Sequence, residues 1–240
     1  MRVRVGSHCH GVNMPESDTD FRTVFIPTKD YFLGLKTCEM IEEKEDGKDI
    51  EHWNIAKLIR LCIKGNPSAL NVLFVRNADR FETDEWGQKI LDIRDEFLSK
   101  RTLSAIIGYC VSQMHKLTIG RGAKEGKRIQ MIDKFGYDVK FCYHAVMLTN
   151  MGIELVKDNA YRPYRGVTEQ NYLRSIRRGE VPLEDIRHQI KENLETIKTI
   201  ESICKLPKVP DEEKLNTWIT EYLSDYYAEH PQLIKESNET

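Results

Sequence analysis

Alternation of apolar and polar positions marks the first part of the chain as β-rich. Residues 2–5 (RVRV) alternate with period two and run directly into Gly6-Ser7. A second β-rich run, 21–26 (FRTVFI), is closed by Pro27, which cannot donate to a strand ladder. Residues 37–44 alternate again, Glu45-Asp46-Gly47 supplies a turn, and 48–53 (KDIEHW) returns as the partner strand of a hairpin. From Asn54 the period changes. Ile55, Leu58, Ile59 and Cys62 recur at helical spacing until Gly65-Asn66-Pro67 stops the helix. The apolar run 69–75 then predicts a short helix capped by Ser68.

Beyond Asp84 the spacing is helical almost throughout. The segments 84–98, 102–116, 134–157, 168–177, 182–204 and 211–228 each show apolar steps at i, i+3 and i+4. Residues 118–128 (TIGRGAKEGKR) interrupt this pattern with three glycines and four basic residues, which predicts a mobile, positively charged loop between two helices. The expected fold is α+β: a small mixed-sheet head with helices over 1–98, followed by an all-helical body over 99–240.

Composition narrows the function classes more than the fold. With 36 Lys+Arg against 38 Asp+Glu, the formal charge of −2 excludes a bulk polycation and leaves room for a local basic groove. No window approaches the roughly 18 apolar residues of a membrane span, and the mean hydropathy is −0.52, so no membrane partner is expected. The opening MRVRVGSHCHGV has no apolar stretch of the secretory kind. Six cysteines without a CxxC pair indicate reduced, mostly buried thiols and a cytoplasmic address.

One constellation is sharp. Gly6-Ser7, Gly11 and Ser17-Asp18-Thr19-Asp20 form the pattern G-S-x3-G-x5-S-D-x-D. A strand ending at Gly6 lets backbone approach a ligand closely. Ser7 then offers a hydroxyl and an amide at a predicted helix N-terminus, a natural phosphate seat. If the chain returns as a strand, Asp18 and Asp20 share a face with Cα atoms about 6–7 Å apart. Two carboxylates so placed converge on a hard cation such as Mg²⁺ or Mn²⁺. Short Asp/Ser clusters are more often solvated turns. The glycine-serine strand end in front and the β-rich run behind weigh against that reading here.

The stretch 5–34, VGSHCHGVNMPESDTDFRTVFIPTKDYFLG, resembles the nucleotidyltransferases of the DNA polymerase β superfamily. More narrowly it is similar to the YcgL-like nucleotidyltransferases of phages and bacteria, an RNA-repair-type branch. Members share GSxxxG, SDxD[FY]R, a proline-bearing segment and L-G-L, here Leu33-Gly34-Leu35. Further along they carry an Asp-x3-aromatic stretch, a lysine-containing helix and a G-N-P turn, matched by Asp49, Trp53, Lys57 and Gly65-Asn66-Pro67. A late K-x3-H and an I-R-x-G segment correspond to Lys140, His144 and Ile176-Arg177-Arg178-Gly179. The chain departs from the pattern twice. Only five residues precede Gly6 where relatives carry a helix, and Asn71 stands where they often have Glu.

The resemblance implies transfer of a nucleoside monophosphate from an NTP to an acceptor hydroxyl or phosphate such as an RNA end. Asp18 and Asp20 would hold two divalent ions, Mg²⁺ or Mn²⁺, with a third carboxylate supplied by Asp49 or, in reserve, Glu51. Gly6, Ser7, Ser17, Arg22, Lys57, Lys140 and His144 would contact the nucleotide. Structural readings stand beside these. Arg22 can pair with a neighbouring acid, Lys57 can be solvated, and His144 can be a hydrogen-bonded histidine inside a helical bundle. Tyr137 and Tyr143 fit core packing better than base stacking. Arg121, Lys124, Lys127 and Arg128 either track a polynucleotide backbone or simply face solvent. His8, Cys9 and His10 are consecutive and lack zinc-site spacing. The alternatives are transfer to a protein or small molecule, or a catalytically silent nucleotide-binding module.

Overall fold

The computed structural model describes residues 1–45, 48–118 and 127–233, with backbone alone for 113, 115–118 and 127–130. One five-stranded sheet is built from β1 (Arg2–Arg4), β2 (Asp20–Phe25), β3 (Met40–Glu45), β4 (Lys48–Asn54) and β5 (Arg80–Glu82), in the order β3-β4-β2-β1-β5. β2 and β4 run parallel, and the other three pairings are antiparallel. The fold is α+β. Strand β5 has no signal in the periodicity because Arg-Phe-Glu is too short to show one. β2 begins at Asp20, so Asp18 lies just ahead of the strand rather than on it.

The helices of the head follow local capping chemistry. α1 (Gly6–Cys9) and α2 (Asp30–Leu33) are single turns, while α3 (Ile55–Ile63) starts at Asn54, whose side chain accepts from the Ala56 amide at 2.8 Å. α4 (Pro67–Phe74) is capped by Asn66 instead of Ser68. The Asn66 side-chain Oδ1 accepts from the amides of Ser68 and Ala69 at 2.9 and 3.2 Å, and Pro67 occupies the first helical position, where no amide is needed. The expected helix over 84–98 is α5 (Glu85–Asp92) followed by a 3₁₀ turn, Arg94–Phe97.

The body comprises α6 (Lys100–Thr118), α7 (Lys127–Phe135), α8 (Val139–Asp158), α9 (Val167–Arg177), α10 (Leu183–Ile200) and α11 (Glu212–Glu229). α8 starts five residues later than its pattern predicts, because Asp138 caps it by accepting from the Phe141 amide at 2.9 Å. It packs against α6, α9 and α10 and is buried along most of its length. Of the basic loop, Arg121 and Lys124 lie outside the described residues, as do the side chains of Lys127 and Arg128.

A single apolar cluster runs from the sheet (Val3, Val24, Trp53) through α3 and α4 (Leu58, Leu70) into the body (Leu103, Met147, Leu155, Ile190). Burying each such side chain fully contributes about 1.5–3 kcal/mol. α11 returns to the head, where Tyr222 donates to the Trp86 carbonyl at 3.2 Å and Tyr227 to that of Pro27 at 2.6 Å. Asp79, fully buried, is shared by Arg4 and Arg76 at 2.6 Å each and ties β1 to the α4–β5 link. All six cysteines are free thiols. Among the described residues, no helix is long and apolar enough to cross a membrane.

Candidate active site

The site is assembled where β1 ends beside the start of β2. The Val5 amide donates to the Asp20 carbonyl at 2.9 Å, which draws the two strand ends together. Gly6 follows with φ +66°, and a Cβ built there would stand 2.2 Å from Asp20 Oδ2. Only glycine combines that dihedral with that contact. The motif glycine therefore lets backbone lie directly against a carboxylate.

Parallel pairing then sets the neighbours. Asp20 is in register with Asp49, Arg22 with Glu51, and Val24 with Trp53. Since alternate strand residues share a face, Asp20, Arg22, Asp49, Glu51 and Trp53 line one side of the sheet. Burial holds the half-buried Asp20 carboxyl above its ordinary range, and the charges of Asp49 and Asp18 push the same way. Lys140 and Arg22 pull it back. Asp18, Asp49 and the exposed Lys140 thus all act on the charge of Asp20, although Lys140 comes from α8 in the body.

The two candidates for the third carboxylate differ in their bonds. Glu51 pairs with Arg22 at 3.0 Å and accepts from Trp53 Nε1 at 2.8 Å. Asp49 is exposed and, among the described residues, pairs with exposed Lys44 at 3.3 Å, an interaction worth about 0–1 kcal/mol. Asp49 is thus the more available of the two. Arg22 lies over the Trp53 ring at 4.0 Å, and Lys57 Nζ stands 4.9 Å from the same ring and 3.1 Å from Met40 Sδ. The all-oxygen donors Asp18, Asp20 and Asp49 suit a hard cation. As they lie, no three His, Cys, Asp or Glu side chains among the described residues are close enough to hold a metal.

The loop after Gly6 is gripped by the body. Gly11, at φ +72°, packs so tightly that a Cβ would meet Gln170 Nε2 at 2.5 Å. Arg174 Nη2 donates to the Gly11 carbonyl at 2.6 Å, and Arg177 donates to the Val12 carbonyl and, at 3.1 Å, to Ser17 Oγ. Ser17 Oγ also accepts from the Met14 amide at 2.8 Å. Ser17 therefore closes the loop internally, while Ser7 is half-buried beside Gly6.

His10 is buried. Its Nδ1 donates to the Pro163 carbonyl at 3.0 Å, which leaves Nε2 to accept from Asn71 Nδ2 at 3.4 Å. Tyr161 donates to Asn71 Oδ1 at 3.0 Å, so Asn71 supports this histidine. His144 lies one turn beyond Lys140 and points into the bundle, with Nδ1 3.1 Å from Tyr109 Oη and its ring 6.5 Å from that of His10. Burial lowers the His10 pKa to about 4 and, with the His10 charge, that of His144 to about 3. Tyr143 lies under Arg177 at 5.0 Å, and Tyr137 donates to the Val181 carbonyl at 2.6 Å. The grip of Arg174 and Arg177 was invisible to periodicity, although Arg177 falls in the I-R-x-G segment.

Comparison with known proteins gives four matches. The profile described as the RNA repair pathway DNA polymerase beta family matches residues 1–221. An uncharacterized protein, YcgL, of Bacillus subtilis (strain 168) is 34% identical over 73 residues, covering 30% of this chain and 28% of that one. An uncharacterized 38.9 kDa protein from the nrdC-mobD intergenic region of Enterobacteria phage T4 is 29% identical over 125 residues, 46% of this chain and 36% of that protein. The matches thus span about a third of these relatives' own lengths. Among solved structures, a nucleotidyltransferase-like protein from Exiguobacterium sibiricum 255-15 aligns over 83% of this chain and 67% of its own, at 10% identity and a TM-score of 0.29.

Proposed function

This chain belongs to the RNA repair pathway DNA polymerase beta family, and from that premise we propose that it is a metal-dependent nucleotidyltransferase transferring a nucleoside monophosphate from an NTP to a hydroxyl or phosphate at an RNA end. In this reading residues 1–98 carry the chemistry and the helical body, 99–240, closes one side of the site. One observation carries it: Gly6 backbone lies against Asp20 while Asp49 stands beside Asp20 in parallel register. A strand end with no Cβ, next to carboxylates that repel one another, suits a triphosphate over cations and little else.

Asp18, Asp20 and Asp49 would hold the divalent ions. When bound, Mg²⁺ or Mn²⁺ neutralises developing phosphate charge and lowers the pKa of the attacking group. The residues of the chain do the positioning. Gly6 and Ser7 offer amides and a hydroxyl to the phosphates. Lys140 contributes positive charge from the facing helix, and Lys57 and Arg22 do so from the sheet side. Arg22 can clamp a phosphate only by releasing Glu51, so its engagement is coupled to breaking that pair. Asp49, weakly held, can turn inward and accept the proton of the attacking hydroxyl. Ser17 and His144 act through their neighbours, the loop and the His10 pair.

The test is transfer from each α-labelled NTP, with Mg²⁺ or Mn²⁺, into a total RNA pool. Asp18→Ala and Asp20→Ala should each cut transfer by about 100-fold or more while leaving the fold intact. Retained turnover in either variant removes the metal assignment. A second acceptor class, a protein or small molecule, is favoured by the exposed β3, where Glu42, Glu43 and Glu45 surround Lys44, the register partner of Asp49, and leave the strand net acidic. Salt separates the two classes: acceptor binding that weakens steeply with ionic strength marks RNA, and a flat dependence marks the alternative.

A further inference from the structure

We propose that Arg177 is a positioning residue, a latch by which the helical body holds the two metal-site aspartates in place. Its guanidinium, on the last turn of α9, reaches into the segment that joins the Gly6-Ser7 corner to Asp18 and Asp20. It donates to the Val12 carbonyl at one end of that segment and to Ser17 Oγ, the residue before Asp18, at the other. Among the described residues it makes no ion pair with a carboxylate, so its charge is spent on the loop. A planar fork with fixed donor spacing spans two acceptors in a way an ammonium cannot. Tyr143 packs beneath it at 5.0 Å, and Arg174 secures the neighbouring Gly11 carbonyl at 2.6 Å. Because a backbone carbonyl and a hydroxyl are held rather than a carboxylate, Arg177 fixes the path of the chain and leaves the acid charges free for cations. The catalytic consequence rests on the nucleotidyltransferase reading; the latch itself does not.

The experiment therefore reads both, on the full chain with Arg177→Lys and Arg177→Met. The first readout is hydrogen exchange at the amides of Val12, Met14 and Ser17, each hydrogen-bonded within or next to the loop. Both variants should exchange there about tenfold faster or more, with β2 and α8 unchanged. Exchange equal to wild type overturns the latch, whatever happens to catalysis. The second is steady-state transfer. A misplaced pair of aspartates should lower kcat by about tenfold to 100-fold with KM for the NTP nearly unchanged. A raised KM with intact kcat would instead make Arg177 a nucleotide ligand and overturn the positioning role. Arg177→Lys keeps charge and stem. Should Arg177→Met fail to fold, the lysine variant still reads both quantities. A wild type with no transfer activity, together with faster exchange in the variants, would sink the functional reading alone.

Discussion

Asp20 is the residue on which sequence and chemistry meet most directly. Its proton affinity is raised by burial and by two neighbouring carboxylates, so the native state binds a proton more tightly than the unfolded chain does. Stability carried by that proton is present below the ordinary carboxylate range and is lost as pH rises through the raised native value. At neutral pH the charged Asp20 is therefore a net strain. Asp20→Asn should melt higher than wild type at pH 7 without divalent ions. The gain should vanish as pH falls through the carboxylate range. Added Mg²⁺ should stabilise the wild type and leave the variant unmoved. A wild type that melts at or above Asp20→Asn in metal-free buffer at pH 7 would contradict this account. The aspartates and their glycine stand out as a short, spaced motif, but their placement does not follow from it: Asp20 opens β2 while Asp18 lies ahead of the strand. The pairing of Arg22 with Glu51 was not legible, because it depends on the register of two strands 29 positions apart (Asp20 and Asp49).

At the scale of elements, the loop after β1 and helix α8 meet through a pair of histidines. His10 and His144 both stay neutral in the folded protein, with pKa values lowered from 6.5 to about 4 and about 3. The unfolded chain takes up protons at both positions once pH drops below 6.5, so stability is lost as pH falls from there toward 4. Each pH unit in that window costs about 1.4 kcal/mol per buried imidazole. This slope is opposite in sign to that of Asp20. His144→Gln should lose denaturant stability between pH 7 and pH 5 more slowly than wild type, by about one imidazole's share; identical slopes would remove His144 from the account. The helices themselves were largely legible, since α3, α8, α9 and α11 show their apolar stripes. Their starts were less so. Asn66 displaces Ser68 as a cap because Pro67 settles where α4 begins, and Asp138 delays α8 within an unbroken apolar pattern.

At the scale of the whole molecule, helical spacing from Asn54 and almost throughout beyond Asp84 suggested a head over 1–98 and a body over 99–240. Among the described residues the five strands all lie before residue 98, but so do α3, α4 and α5. Periodicity within single segments says nothing about what lies between them. Their cores are continuous in space. Trp86 in the head makes edge contacts with Tyr222 and Tyr226 of α11 at 5.2 and 5.1 Å. Arg165 in the body is buried between Glu154 and Glu169, and its amide donates to the His10 carbonyl at 3.2 Å. Separating the two parts would expose these groups together, along with the gripped loop at 11–17. Head and body should therefore unfold as one cooperative unit. In a Trp218→Phe background, which removes the tryptophan of α11, fluorescence of Trp53 and Trp86 reports mainly on the head, and far-UV circular dichroism mainly on the helices of the body. In urea the two transitions should share one midpoint and one slope. Resolved midpoints would mean that the site's two walls fold independently, and that the grip of α9 on the loop is too weak to couple them.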